Sequence, residues 1–444
     1  MIIRRLKEFI RQAGFWKYFI NTAWVFTEQL LRVVAGFLVW IYIARYLGPE
    51  KFGIFNYVFV LVGFFGIIAK LGLDNIVVRE LVNYPERANL YLGTAFWLKS
   101  AAGILALGVS AAATLIIPND PRTNVYILII ACGLIFQQFE VVDFYFQSQA
   151  LSKNVSVFKI IQLIISCLLK LYLILIKSGL FWFVMAGLFD QVLLAIFYCF
   201  IAWYRKIGLF FKCFKARVAG EMLKDAWPLF FYSFAGMVFM RSDQMMIKGM
   251  LGVKQVGLYS AVVGIAEAWY FTPFIIASSL FPAILNAKKN NRELYLLRLR
   301  QLYNLMLQMS LSFAVLMTFF SGPLIRLFYG QTFDEVSGVL AVNVWAGVFA
   351  ALGAVRFKWL VSENLQIILV KTTVLGAVLN VILNYILIPQ CGIMGSSIAT
   401  IISSAFMVYA SLFFYKETRE HFYLLTKVFN PAQWLSIPKG RKND

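Results

Sequence analysis

Twelve runs of mostly apolar residues follow one another with very little chain between them. They lie at roughly 18–46, 52–74, 90–117, 123–149, 154–177, 180–204, 225–251, 256–285, 299–321, 333–360, 366–389 and 392–415. Each approaches the ~20 residues that a helix needs to cross about 30 Å of hydrocarbon. The chain is 61% hydrophobic and 14% charged, with a mean hydropathy of +0.77. A soluble fold of 444 residues could not hide that much apolar surface. The expected fold class is therefore an all-α integral membrane protein. The first run is not a cleavable signal peptide: it is too long, carries Glu28 and Arg32, and lacks a small-residue cleavage site after it.

The net charge of +20 would suit nucleic acid, but its placement does not. Most of the 41 Lys and Arg fall at the two ends and in the even-numbered loops. Odd-numbered loops hold only Lys51, Arg122, Lys177, Lys254 and Arg326. This is the positive-inside pattern, so both termini are expected on the cytoplasmic side. Clusters such as Arg205, Lys206, Lys212, Lys215 and Arg217 set topology and meet anionic membrane lipids, and no nucleic-acid role is expected. The five cysteines form no CxxC pair, so no zinc or disulfide frame is indicated, and no metal or cofactor is expected. The single histidine, His421, reads as a solvated or headgroup-level side chain in the tail. One histidine excludes a His-dependent triad together with a multi-His metal site.

The pattern Leu-Gly-x4-Gly-x-aromatic occurs twice, as Leu47, Gly48, Gly53, Phe55 and as Leu251, Gly252, Gly257, Tyr259, 204 residues apart. Each copy fills a short turn between long apolar runs. A second match pairs Ser152 and Asn154 with Ser362 and Asn364. Repetition at half the chain length marks a duplicated bundle, the usual construction of a transporter. The expected organisation is a basic amphipathic segment at 1–17, a first lobe of six spans at 18–204, and an amphipathic connector at 205–224. A second lobe at 225–416 and a cytoplasmic tail at 417–444 complete it. Outer loops such as Pro118–Arg122 hold only turn residues. No soluble domain and no GxxxxGK[ST] occur, which removes an ATPase cassette, a glycosyltransferase domain and a periplasmic receptor. An enzyme is not expected, and energy must come from an ion, voltage or substrate gradient.

A charge at the bilayer centre costs about 2.5–3.5 kcal/mol on insertion scales. Buried charges therefore mark structure or function. Candidate cations for an anionic substrate are Arg32, Lys99, Lys170, Arg241 and Lys248. Candidate coupling or gating acids are Glu28, Glu140, Asp143, Asp190, Asp243 and Glu267. Polar lining is expected from Gln147, Gln244, Asn380 and Asn384. Glu28 and Arg32 are four apart on one helix face, with the acid first, which is the better pairing direction. Lys70 and Asp74 have the same spacing and are expected to pair. Lys99 and Lys170 have no acid close in sequence. Arg241 and Asp243 are two apart, so they point to different sides. Deep cations suit a lipid diphosphate, because a guanidinium fork binds two phosphate oxygens.

The chain resembles polysaccharide-export flippases of the multidrug/oligosaccharidyl-lipid/polysaccharide (MOP) superfamily, and among them Wzx-type O-antigen flippases. The residues that carry the resemblance are Ala44 to Gly53, Gly72-Leu73-Asp74 and Arg79-Glu80. The second half adds Ser242-Asp243-Gln244, Leu251-Gly252, Gly257-Leu258-Tyr259 and Ser279-Leu280-Phe281-Pro282. The resemblance implies two pseudo-symmetric six-helix lobes in a V-shaped, MATE-like bundle with alternating access. It implies transfer of an undecaprenyl-diphosphate-linked oligosaccharide across the bacterial inner membrane, with H+ or Na+ as the coupling ion and polysaccharide polymerase machinery as a partner. The alternatives are a MATE-type exporter of cationic drugs and a lipid II flippase. A surplus of deep Arg and Lys disfavours the first, and lipid II flippases usually have fourteen spans.

Overall fold

The computed structural model describes residues 13–208 and 210–430. Among the described residues there are helices and turns but no strand. Residues 1–12 of the expected N-terminal amphipathic segment and residues 431–444 of the tail lie outside the described residues. The chain divides into two compact units, Met1–Phe234 and Ala235–Asp444.

The first unit opens with α1 (Ala13–Lys70), which is non-helical only at Gly48 (φ 72°, ψ 170°). At 1.5 Å per residue an unbroken helix of that length would far exceed a bilayer. The chain instead doubles back at Gly48: Trp40 lies 5.3 Å from Phe52 and 5.5 Å from Phe55, ring to ring. α2 (Asp74–Asn83) and α3 (Ala88–Ile116) follow. The fourth span is composite: α4 (Pro121–Cys132), a 3-10 stretch Gly133–Glu140, and α5 (Val141–Ser148). α6 (Lys153–Leu175) and α7 (Leu180–Tyr204) complete six passes.

The second unit takes in the C-terminal part of α8 (Ala216–Leu251). It continues with α9 (Val253–Ala268) and α10 (Phe271–Asn290). Pro273 explains the interruption between these two, since its ring opposes the carbonyl four residues back, at Trp269. α11 (Arg292–Tyr329), α12 (Ser337–Asn343) and α13 (Ala346–Ser362) come next. α14 (Gln366–Val408) breaks at Gly392 (φ 62°) and doubles back there, because Asn380 Nδ2 donates to Ser403 Oγ at 3.0 Å. Among the described residues, eight helical stretches are long and apolar enough to cross a membrane, and a bent pair adds a ninth. The two stretches that double back each contain two passes, and α8, with its charges at 241, 243 and 248, supplies the twelfth.

The repeated turn has one backbone conformation in both copies: Gly252 (φ 91°, ψ 172°) repeats Gly48. Positive φ is cheap only for glycine, so both copies need one. The second sequence match is out of step with the structure. Ser152 precedes α6, whereas Ser362 ends α13. The left-handed residues that close these two turns are Ala150 and Asn364. Leu151 N donates to Phe146 O, and Leu365 N to Leu360 O, in the same closing bond. The equivalent positions are thus four residues away from the matched letters.

The connector packs into the first unit. Phe210 is buried, and Trp97 Nε1 donates to Phe211 O at 2.8 Å. A Cβ on Gly93 would collide with the carbonyl oxygens of both Phe210 and Cys213. Gly93→Ala is therefore expected to expel the connector, while the surrounding helices remain. Tryptic cleavage after Lys212, Lys215 or Arg217 should accelerate in the variant, and an unchanged rate would contradict the packing.

α15 (Arg419–Val428) docks in the second unit by its histidine, which corrects the expectation of a solvated tail residue. His421 is 3% exposed and stacks on Trp359 at 3.7 Å. Its Nε2 lies 2.6 Å from the Tyr303 hydroxyl. Burial, with Arg356 nearby, pushes its pKa down to about 3. The folded chain then binds a proton less readily than the unfolded chain, whose histidine titrates near 6.5. Stability contributed by neutral His421 is full above pH 6.5 and declines as pH falls toward 3. Unfolding followed between pH 7 and 4 should show this slope, and His421→Phe should flatten it.

Candidate functional site

The deep charges of the first unit fall into four groups. On α1, Glu28 Oε1 meets Arg32 Nη2 at 2.7 Å, as the spacing led us to expect. The Glu28 side chain is 7% exposed and that of Arg32 43%. One carboxylate therefore steadies a guanidinium that is still open to a ligand.

Lys99 is the opposite case, with a side chain of 0% exposure. It is not without acids: Nζ lies 3.1 Å from Asp74 Oδ1 and 2.9 Å from Glu140 Oε2. The Phe144 ring sits 4.8 Å away on a further side. Asp74 is thus committed to Lys99 rather than to Lys70. The helical spacing that suggested the Lys70 pair does not exist, because Gly72 (φ 69°) separates α1 from α2. Glu140 arrives at the end of the 3-10 stretch. Three segments far apart in sequence are tied by one ammonium.

Asp143 Oδ2 accepts from Lys159 at 2.7 Å and from Gln147 at 3.0 Å. Lys170 also has an acid, Asp190, at 2.6 Å between α6 and α7, and bonds Ser166 at 2.8 Å. Neither lysine has an acid close in sequence, and each finds one through packing. Their partners come from other helices, which local spacing cannot show.

In the second unit, Arg241 and Glu267 form a fork-to-fork pair, Nη1 to Oε1 at 3.0 Å and Nη2 to Oε2 at 2.7 Å. Their side chains keep 25% and 24% exposure. Asp243 points elsewhere, as a two-residue offset on a helix requires. It is 4% exposed, and Oδ2 accepts from the Tyr259 hydroxyl at 2.7 Å. Oδ1 accepts from Gln244 N at 2.7 Å. Both of these partners are neutral, while Arg241 is occupied by Glu267.

Around Asp243 lies a buried layer of small polar groups. Ser242 Oγ donates to Asn380 Oδ1 at 3.3 Å, and Asn384 Nδ2 donates to the same oxygen at 2.9 Å. Gln244 Oε1 accepts from Ser260 at 3.4 Å. Tyr259 also lies beside Ser396 and Thr400. Among the described residues, Asn384 Oδ1 is buried without a hydrogen-bond partner. Gln244, Asn380 and Asn384 are thus turned inward on this layer, rather than out toward a bulky ligand. Lys248, one helical turn past Gln244, is partly exposed. No cluster of three or more His, Cys, Asp or Glu suited to a metal ion occurs among the described residues.

Several residues of interest were missed in sequence. Arg356 is 3% exposed on α13 and donates to Thr372 Oγ1 at 2.5 Å. It sits near the end of the tenth run, where charges normally reach headgroups. In sequence Tyr259 is only the aromatic of the repeated turn pattern, and nothing there shows that its hydroxyl meets Asp243. Lys159 lies one turn inside the fifth run, and its acid, Asp143, comes from the preceding span.

Residues 19–288 match the family described as polysaccharide biosynthesis protein. The chain belongs to that family. A curated relative, the capsular polysaccharide biosynthesis protein CapF of Staphylococcus aureus, is 19% identical over 402 residues, covering 89% of this chain and 98% of CapF. Two solved structures share the fold. One is an inward-facing multidrug resistance MATE transporter of the MOP superfamily (TM-score 0.67, 14% identity, 90% of this chain and 96% of that one). The other is the lipid II flippase MurJ (TM-score 0.65, 17% identity, 93% and 92%). At such identities the likeness is one of fold. This member of the polysaccharide biosynthesis family is an all-α, multi-pass membrane protein with the fold of MOP transporters.

Proposed function

We propose that the protein is a flippase that moves undecaprenyl-diphosphate-linked oligosaccharide units from the cytoplasmic to the periplasmic leaflet. The membrane is the bacterial inner membrane, both termini face the cytoplasm, and the cargo is the repeat unit of O-antigen or a similar surface polysaccharide. Transport proceeds by alternating access and without covalent chemistry. The observation that carries this reading is the state of Arg32 and Arg241. Each guanidinium lies within an apolar run, is steadied by one carboxylate, and keeps a substantial exposed surface. A diphosphate can compete for such a group, since its oxygens match the guanidinium fork. Lys170 and Lys248 are partly exposed and can add charge. Lys99 is spent on Asp74 and Glu140 and serves to hold its unit together.

Asp243 is the coupling acid in this account. A carboxylate that accepts from Tyr259 and Gln244 N, in a layer of hydroxyl and amide oxygens, suits a proton or a small hard cation such as Na+. The deep position of such a charge is itself costly and so marks function.

Export assays in cells lacking the gene test the cationic role. Arg241→Ala and Arg32→Ala are expected to abolish polysaccharide export at normal protein levels. Arg241→Lys should retain part of it, because a point charge lacks the fork. Full complementation by both alanine variants would defeat the reading.

A further inference from the structure

A cavity of about 580 Å³ lies in the first unit where the end of α7 meets the fourth span and the connector. Val142, Ala202, Ile207 and Phe211 supply apolar walls, Cys199 lies on one side, and Lys206 stands among the lining residues. No carboxylate lines it. Its volume falls in the range of about 300–1,000 Å³ typical of ligand sites. Walls this apolar offer water too few partners to hold it in order.

The depth of the cavity follows from its neighbours. Trp203 is 76% exposed and Tyr204 66%, the aromatic pairing that marks the headgroup level of a bilayer. Next come Arg205 and Lys206, then the exposed Lys212 and Lys215 beyond the buried Phe210. Lys206 is fixed at the turn that closes α7, where it takes a left-handed conformation (φ 51°) and its N–H bonds Trp203 O at 3.1 Å. An apolar cavity thus opens at headgroup level beside a lysine whose backbone is held in the turn, with a run of further cations beyond it.

We infer that this cavity holds one anionic phospholipid, with an acyl chain among the apolar walls and the phosphate at Lys206. The site is distinct from the proposed cargo cations on α1 and α8. A zwitterionic lipid would fill the walls equally well but would gain less from the cationic mouth. The bound chain packs against Phe211 of the connector, so the lipid also holds the connector in place.

Native mass spectrometry of the delipidated, detergent-solubilised full chain tests this with dioleoyl phosphatidylglycerol, dioleoyl phosphatidylcholine and undecaprenyl phosphate as probes. One phosphatidylglycerol should be retained with a roughly fivefold preference over phosphatidylcholine, the contribution of one basic residue at a membrane surface. Lys206→Glu, an exposed substitution, should remove the preference. Ala202→Trp, which fills the cavity, should lower retention of both phospholipids. Equal retention of the two phospholipids by the wild type, or a preference unchanged in both variants, would overturn the inference. Displacement of phosphatidylglycerol by an equal concentration of undecaprenyl phosphate would also overturn it, by assigning the cavity to the cargo.

Discussion

Replacing Lys99 by methionine is expected to destabilise the first unit by about 3–5 kcal/mol, the usual effect of removing one partner from a buried ion pair. The ammonium has no exposed surface and faces two carboxylates, Asp74 and Glu140. Methionine fills the space but leaves both acids without their cation. The loss should appear as a lower unfolding temperature of the purified protein and reduced membrane abundance. Lys99→Met combined with Glu140→Gln should recover part of it, because one fewer charge is stranded. If Lys99 instead holds the cargo, Lys99→Met will abolish export with unchanged stability.

Asp243→Asn is expected to act in the reverse sense, with large loss of transport and no loss of fold. Asparagine keeps an oxygen to accept from the Tyr259 hydroxyl and removes a buried charge. Stability should be equal or higher. Transport should fall at least about tenfold, the lower end for disturbing the support of a bound cation. If Na+ is the coupling ion, NaCl should raise the unfolding temperature of the wild type relative to choline chloride, because a ligand that binds only the folded state stabilises it. The variant should show no such difference. Wild-type transport by Asp243→Asn would remove Asp243 from the coupling role.

Much of the fold was legible in sequence because its determinants are local. An apolar run of bilayer length can do little except form a spanning helix, and a glycine between two such runs marks the turn. Gly48 and Gly252 were therefore found from letters alone, and they share one backbone conformation. Glu28 and Arg32 were legible for the same reason, since four residues on a helix is one turn. The Ser-x-Asn match misled because turn closure depends on backbone geometry at Ala150 and Asn364 rather than on matching polar letters.

The partners of the deep charges were not legible, because packing sets them. Lys99 finds its acids 25 and 41 residues away, and Lys170 finds Asp190 on the next helix. Gly72 ends a helix that the Lys70–Asp74 spacing assumed to be continuous. His421 looked solvated because its own segment is polar, yet Trp359 and Tyr303, from two other helices, enclose it.

The central claim is tested most directly by the leaflet in which lipid-linked oligosaccharide resides when the protein is absent. Deletion should trap the undecaprenyl-diphosphate-linked units on the cytoplasmic face, and the intact gene, but not Arg241→Ala, should release them. An unchanged leaflet distribution, with new sensitivity of the deleted strain to toxic organic cations, would contradict the flippase account and favour a drug exporter on the same fold.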